Sequence, residues 1–174
     1  MRKLAALALG LAAIGATGTA NAAGLYPPMQ AAPAYNAAAF NFNGFYAGAQ
    51  GGLLTGPYHS GELGVVAGVN FDLSSPVLAG IEFQADWLPG VTTGSTYDFF
   101  ALGRVGVMVT DALMIYGEGG TGWVAGNGSY AFGGGAEYGL TDVVSVKGEV
   151  LGTGTWGTSP GGAKVQAGLL FHLP

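Results

Sequence analysis

From Asn43 to Leu173 the chain alternates between two kinds of side chain at every second position, in eight successive stretches: 43–54, 62–73, 77–87, 97–109, 112–124, 129–140, 143–152 and 163–173. A period of two puts one set of side chains on each face of an extended strand. The stretches run about 10 to 13 residues, longer than a usual strand of a soluble sheet and close to what crosses a bilayer at a tilt. None contains the unbroken apolar run of about 20 residues that a spanning helix needs.

The ionised residues show which face is which. Glu62, Gly64, Val66, Gly68, Asn70 and Asp72 share one side of the second stretch, opposite Leu63, Val65, Ala67, Val69 and Phe71. Glu82, Gln84 and Asp86 repeat this against Ile81, Phe83, Ala85 and Trp87. Arg104, Glu118, Glu137, Lys147 with Glu149, and Lys164 all fall on faces otherwise filled by small or polar residues. A soluble sandwich would turn such faces to water. These faces are too glycine-rich and too poor in charge for that, since a soluble exterior is about a quarter or more charged. Aromatic residues near the stretch ends (Phe45, Tyr46, Phe71, Trp87, Phe99, Trp123, Tyr130, Tyr138, Phe171) are expected to form two interfacial girdles. An even number of strands joined in sequence closes without an exposed edge, as lipid demands. The pattern therefore predicts an all-β protein, an eight-stranded antiparallel up-and-down transmembrane β-barrel, with apolar faces to lipid and charges inward.

Tight polar turns at 73–76, 110–112 and 141–142 alternate with longer connections at 54–61, 88–96, 124–128 and 154–162. Short turns are periplasmic in spanning barrels, which puts both termini in the periplasm. Ahead of the barrel, MRKLAALALGLAAIGATGTANA has two basic residues, an apolar core and the small-x-small site Ala20-Asn21-Ala22. Residues 1–22 read as a signal peptide, 23–42 as an Ala/Pro-rich periplasmic linker, and 43–174 as the barrel.

Composition narrows the function. Thirty-four glycines in 174 residues exclude a mainly helical chain, and the absence of Cys removes disulfides and thiolate metal sites. After Ala22 only Arg104, Lys147 and Lys164 are basic against ten acidic residues, a formal charge of −7, which excludes nucleic acid as a partner. The inward charges Glu62, Glu82, Arg104, Glu118, Glu137, Lys147, Glu149 and Lys164 are expected to form a lumen network. In it Arg104 faces Glu82 and Glu118, and Lys164 lies nearer a wet end. Eight strands enclose an interior that side chains fill, so the expected function is structural. A narrow, weakly cation-preferring pore is the alternative, favoured by the acid excess and by inward glycines that leave volume.

A lipid-modifying barrel enzyme is the remote alternative. The adjacent pair His59-Ser60 has no carboxylate at triad spacing, and His172 lies at the other end of its strand set. Two distant histidines make no zinc site, and the glycine-rich GEGGTGW and FGGGAEYG lack a following helix and the Lys-Ser/Thr pair of a phosphate cradle. No catalytic, cofactor or metal residues are expected. Outer connections this short also argue against adhesion.

NGFYAGAQGG, ELGVVAGVNFDL with VLAGIEFQADW, GRVGVMVTDALMIYGEGGTGW and FGGGAEYGLTDVVSVKGEVL resemble, in order, the landmarks of small outer-membrane barrels of the porin-family or opacity-type surface proteins. They are similar to the transmembrane domain of OmpA over residues 43 to 173. The resemblance implies residence in the outer membrane of a Gram-negative bacterium, with outer-membrane lipid, lipopolysaccharide and other outer-membrane proteins as neighbours. It also implies insertion by the barrel assembly machinery, through a last-strand signal matched by Gln166, Gly168, Phe171 and Leu173. The chain departs from that signal by ending in Pro174 rather than an aromatic residue.

Overall fold

A computed structural model describes residues 40–91 and 96–173; residues 1–39, which hold the expected signal peptide and most of the expected linker, and Pro174 lie outside them. All eight expected stretches are strands: β1 Gly44–Thr55, β2 Ser60–Ser74, β3 Val77–Trp87, β4 Tyr97–Thr110, β5 Leu113–Val124, β6 Asn127–Gly139, β7 Val144–Thr155 and β8 Gly162–His172. Each pairs antiparallel with the next, and β1 pairs with β8 from Tyr46↔His172 to Thr55↔Ala163, closing the barrel. Closure pairs every strand on both sides, which is what permits this much backbone to stand in lipid.

The connections 75–76, 111–112 and 140–143 lie at one end, the turn end, together with Phe40 and Leu173. The connections 56–59, 88–96, 125–126 and 156–161 lie at the other, the loop end. One connection is shorter than the sequence suggested. Where a loop was expected over 124–128, β5 and β6 run on to Val124 and Asn127 and leave only Ala125 (φ 50°) and Gly126 (φ 86°) between them. Positive φ at both central residues is the I′ geometry, whose twist matches that of the flanking strands and lets them continue to the very end of the hairpin.

Side chains divide by face as the alternation requires. Leu63, Val65, Ile81, Phe83, Val105, Ile115, Val150, Val165 and Leu169 stand on the outside, and their alternates are buried. Phe45, Phe71, Tyr138 and Phe171 are exposed near the turn end, and Trp87, Tyr97, Phe99, Trp123 and Trp156 near the loop end. Tyr46 does not join the girdle expected of it. It is 1% exposed and crosses the lumen, since its parity in β1 is that of Gln50, not of its neighbour Phe45. The room comes from Gly68 opposite, where any Cβ would collide with the Tyr46 ring. Inward glycine here makes space that another side chain occupies.

Candidate functional site

The lumen fills in bands from the turn end to the loop end. The first band is apolar. The segment entering β1 folds Phe40 and Phe42 into the mouth, edge to face at 4.7 Å, against Leu78, Met114 and Tyr116. The Phe40 N–H donates to the Asp111 carbonyl at 2.7 Å and the Asn70 amide donates to the Phe42 carbonyl at 2.9 Å. Phe40 and Phe42 thus belong to the barrel, although the expected linker ran to residue 42.

Behind Phe40, whose ring meets the His172 ring at 4.8 Å, lie Glu137, Ser145 and His172. His172 Nε2 is 2.8 Å from Glu137 Oε1 and 3.1 Å from Ser145 Oγ, and Ser145 Oγ donates to the same Glu137 oxygen at 2.7 Å. These are the residue types of a hydrolytic triad in a different geometry. A triad places serine and acid on opposite ring nitrogens, whereas here both sit on Nε2 while Nδ1 has no partner among the described residues. His59 is exposed before β2 at the loop end, the full barrel away.

The next band centres on Arg104 and Lys147. Arg104 reaches Glu82 at 3.3 Å, Glu137 at 3.4 Å and the Tyr46 hydroxyl at 2.8 Å, and lies 3.8 Å over the Tyr116 ring. The Tyr46 hydroxyl in turn donates to Glu82 at 2.7 Å. Lys147 holds Glu82 at 2.6 Å and Glu149 at 3.0 Å; the Gln84 amide bridges the same two acids, and the Tyr116 hydroxyl donates to Glu149 at 2.9 Å. Glu118 was expected to be an Arg104 partner and is its Cα neighbour across β4 and β5. It is not ion-paired with Arg104: neither of its oxygens has a hydrogen bond among the described residues, because the guanidinium has turned away toward Glu82 and Glu137.

The third band lies toward the loop end. Lys164 binds Asp98 at 2.8 Å and Asp86 at 2.9 Å and stands 3.4 Å from Glu62. Gln50 donates to both Asp86 oxygens, at 3.0 and 3.1 Å, and Gln166 to one of them at 3.2 Å. The expectation that Lys164 sits near a wet end is overturned, since its side chain is fully buried and surrounded by three acids. Beyond it, Leu54, Leu88, Val91, Phe100, Leu102, Val124 and Leu151 form an apolar cluster that closes the loop end and lines the β4–β7 wall.

The eight charges singled out from sequence are thus all placed inside, in two groups. Tyr46, Tyr116, Gln50, Gln84, Asp86, Asp98, Ser145 and His172 complete those groups, and their inward parity was the available signal. On β8, Gln166 and Gly168 face inward and Phe171 is exposed outside, as is Leu173 just beyond the strand.

The sequence matches no protein-family model and no curated protein. Among solved structures, a designed transmembrane β-barrel superposes with a TM-score of 0.52 at 18% identity, over 77% of this chain and 99% of that one. Ail, the attachment invasion locus protein of Yersinia pestis, superposes with a TM-score of 0.50 at 11% identity, over 75% of this chain and all of that one. The chain has the fold of the small eight-stranded transmembrane barrels.

Proposed function

We propose that this protein is a structural barrel of a Gram-negative outer membrane, non-enzymatic, with a lumen filled by its own side chains and a role in membrane packing and integrity. The observation that carries this reading is the lumen itself: Arg104, Lys147 and Lys164 tie acids from five strands across the interior, between an apolar cluster at each end. A water-filled path would need those ion pairs apart and the Phe40–Phe42 mouth open. Short loop-end connections offer little protruding surface for recognition, so the attachment named for Ail is not carried over. Both described chain ends emerge at the turn end, which in this reading is periplasmic, with lipid and lipopolysaccharide around the wall and the barrel assembly machinery acting on β8.

The second reading is a narrow cation-preferring pore, favoured by one observation: seven buried acids (Glu62, Glu82, Asp86, Asp98, Glu118, Glu137, Glu149) outnumber three buried bases. Planar-bilayer recording of the refolded chain separates the two. A silent bilayer is expected; reproducible unitary steps would overturn the closed lumen and favour the pore.

A further inference from the structure

An excess of buried acid needs a counter-charge, and the two charged bands meet that need differently. In the band nearer the turn end most acceptors are used: Glu82 accepts from Tyr46, Gln84, Lys147 and Arg104, and Glu149 from Gln84, Tyr116 and Lys147. Glu118 is left over there as a single unbonded carboxylate beside saturated neighbours.

The band nearer the loop end is open instead. Glu62, Asp86 and Asp98 each offer an oxygen within 4.8 Å of the others. Glu62 is 2% exposed, and neither of its oxygens accepts a hydrogen bond among the described residues; its one cationic neighbour is Lys164 at 3.4 Å, whose two short bonds go to Asp86 and Asp98. Asp98 Oδ1, Gln50 Oε1 and Gln166 Oε1 are likewise buried without a partner. Every unmatched atom in this band is an oxygen acceptor. Ionised carboxylates and amide carbonyls cannot satisfy one another, so what is missing is a proton, a donor or a cation. Three carboxylates and one ammonium also leave two negative charges, the charge one divalent ion cancels.

We propose that Glu62, Asp86 and Asp98, with the unpartnered amide oxygens of Gln50 and Gln166 in the same band as further donors, form a binding site for a hard divalent cation, calcium or magnesium. All-oxygen donors with several carboxylates are the ligand set of such ions, and the band holds no nitrogen or sulfur ligand that would favour a softer metal. Glu62 lies two residues inside β2, Asp86 next to the end of β3 and Asp98 second in β4, so all three ligands hang from strand ends at the loop end, Glu62 beside the connection 56–59 and the two aspartates beside the connection 88–96. The sequence did not suggest this site because its ligands come from separate strands and include neither His nor Cys.

The test is calorimetric titration of the refolded full chain in detergent with calcium and with magnesium, together with the temperature at which the folded gel band converts to the unfolded one. Saturable uptake of a single ion is expected, with a dissociation constant of about 10⁻⁴ to 10⁻³ M, as for modest-affinity oxygen sites. The conversion temperature should rise in parallel. Glu62→Gln and Asp98→Asn keep side-chain shape, remove one charge each, and are expected to weaken binding about tenfold or more, since ligand charge tunes such sites. Glu118→Gln, in the other band, should leave binding unchanged. No saturable heat and no thermal shift with either ion would overturn the proposal and leave buried water as the partner of these oxygens. Binding lost in Glu118→Gln but kept in Glu62→Gln would overturn it in favour of the other band. Should a ligand variant fail to fold, the wild-type titration still decides whether an ion is bound.

Discussion

Arg104 and Lys164 look unequal from sequence and are equals in the structure. Both are buried, and each holds acids from more than one strand. Removing one member of a buried ion group leaves its partners uncompensated, which costs about 3–5 kcal/mol. Arg104→Ala and Lys164→Ala should therefore lower the urea midpoint of the folded barrel by comparable amounts. A wild-type midpoint in either variant would mean that water screens the lumen. Which residues point inward was legible, because parity along a strand is a local property. Their partners were legible only between neighbouring strands, where Arg104 and Glu82, expected to face each other, meet at 3.3 Å. Register reports a strand's two neighbours, as with Arg104↔Glu118, whereas lumen contacts run across the barrel: Arg104 on β4 to Glu137 on β6, Lys147 on β7 to Glu82 on β3, Lys164 on β8 to Asp98 on β4. Glu118 shows the cost of treating a Cα neighbour as a partner.

At the level of elements, all eight strands were legible from periodicity within a few residues, and the misjudged boundaries lie where two structures share one pattern. The hairpin at Ala125–Gly126 reads as a loop because Ala125-Gly126-Asn127-Gly128 is turn-like in composition, yet only two of these residues are needed to reverse the chain. The segment before β1 resembles a linker in its composition although Phe40-Asn41-Phe42-Asn43 already alternates, with both aromatic rings inside the mouth. That band can be tested against a lipid-facing control. Phe42→Ala empties a buried site and should cost about 3–5 kcal/mol, as for large-to-small changes in a core. Phe45→Ala, three residues on and 64% exposed on the outer wall, should cost much less. The comparison is read from urea midpoints of the two refolded variants, and equal losses would show that Phe42 is not seated in the mouth. Gly139 belongs to the same fit, because a Cβ there would come within 2.5 Å of the Phe40 ring.

Taken as a whole, the described residues between 40 and 173 invert the arrangement of a soluble protein: apolar side chains cover the outer wall, and the ionised ones lie in the interior, between its two apolar end clusters, apart from Asp72, Asp111 and Asp142 at the turn end. A further consequence concerns proteolysis. Trypsin cuts after lysine and arginine, and between Phe40 and Leu173 the chain has only Arg104, Lys147 and Lys164, each turned into the lumen. No cleavable bond in that span can be reached until the wall itself comes apart. The folded barrel should pass through trypsin whole over this span, and fragments ending at those three residues should appear only from opened molecules, at a rate that follows the open population when closing is fast. Rapid cutting of the folded form after Lys164 would show that β8 leaves the sheet by itself. Slow, simultaneous loss at all three sites would show that the closed wall opens as one unit, with no strand free to serve as a door.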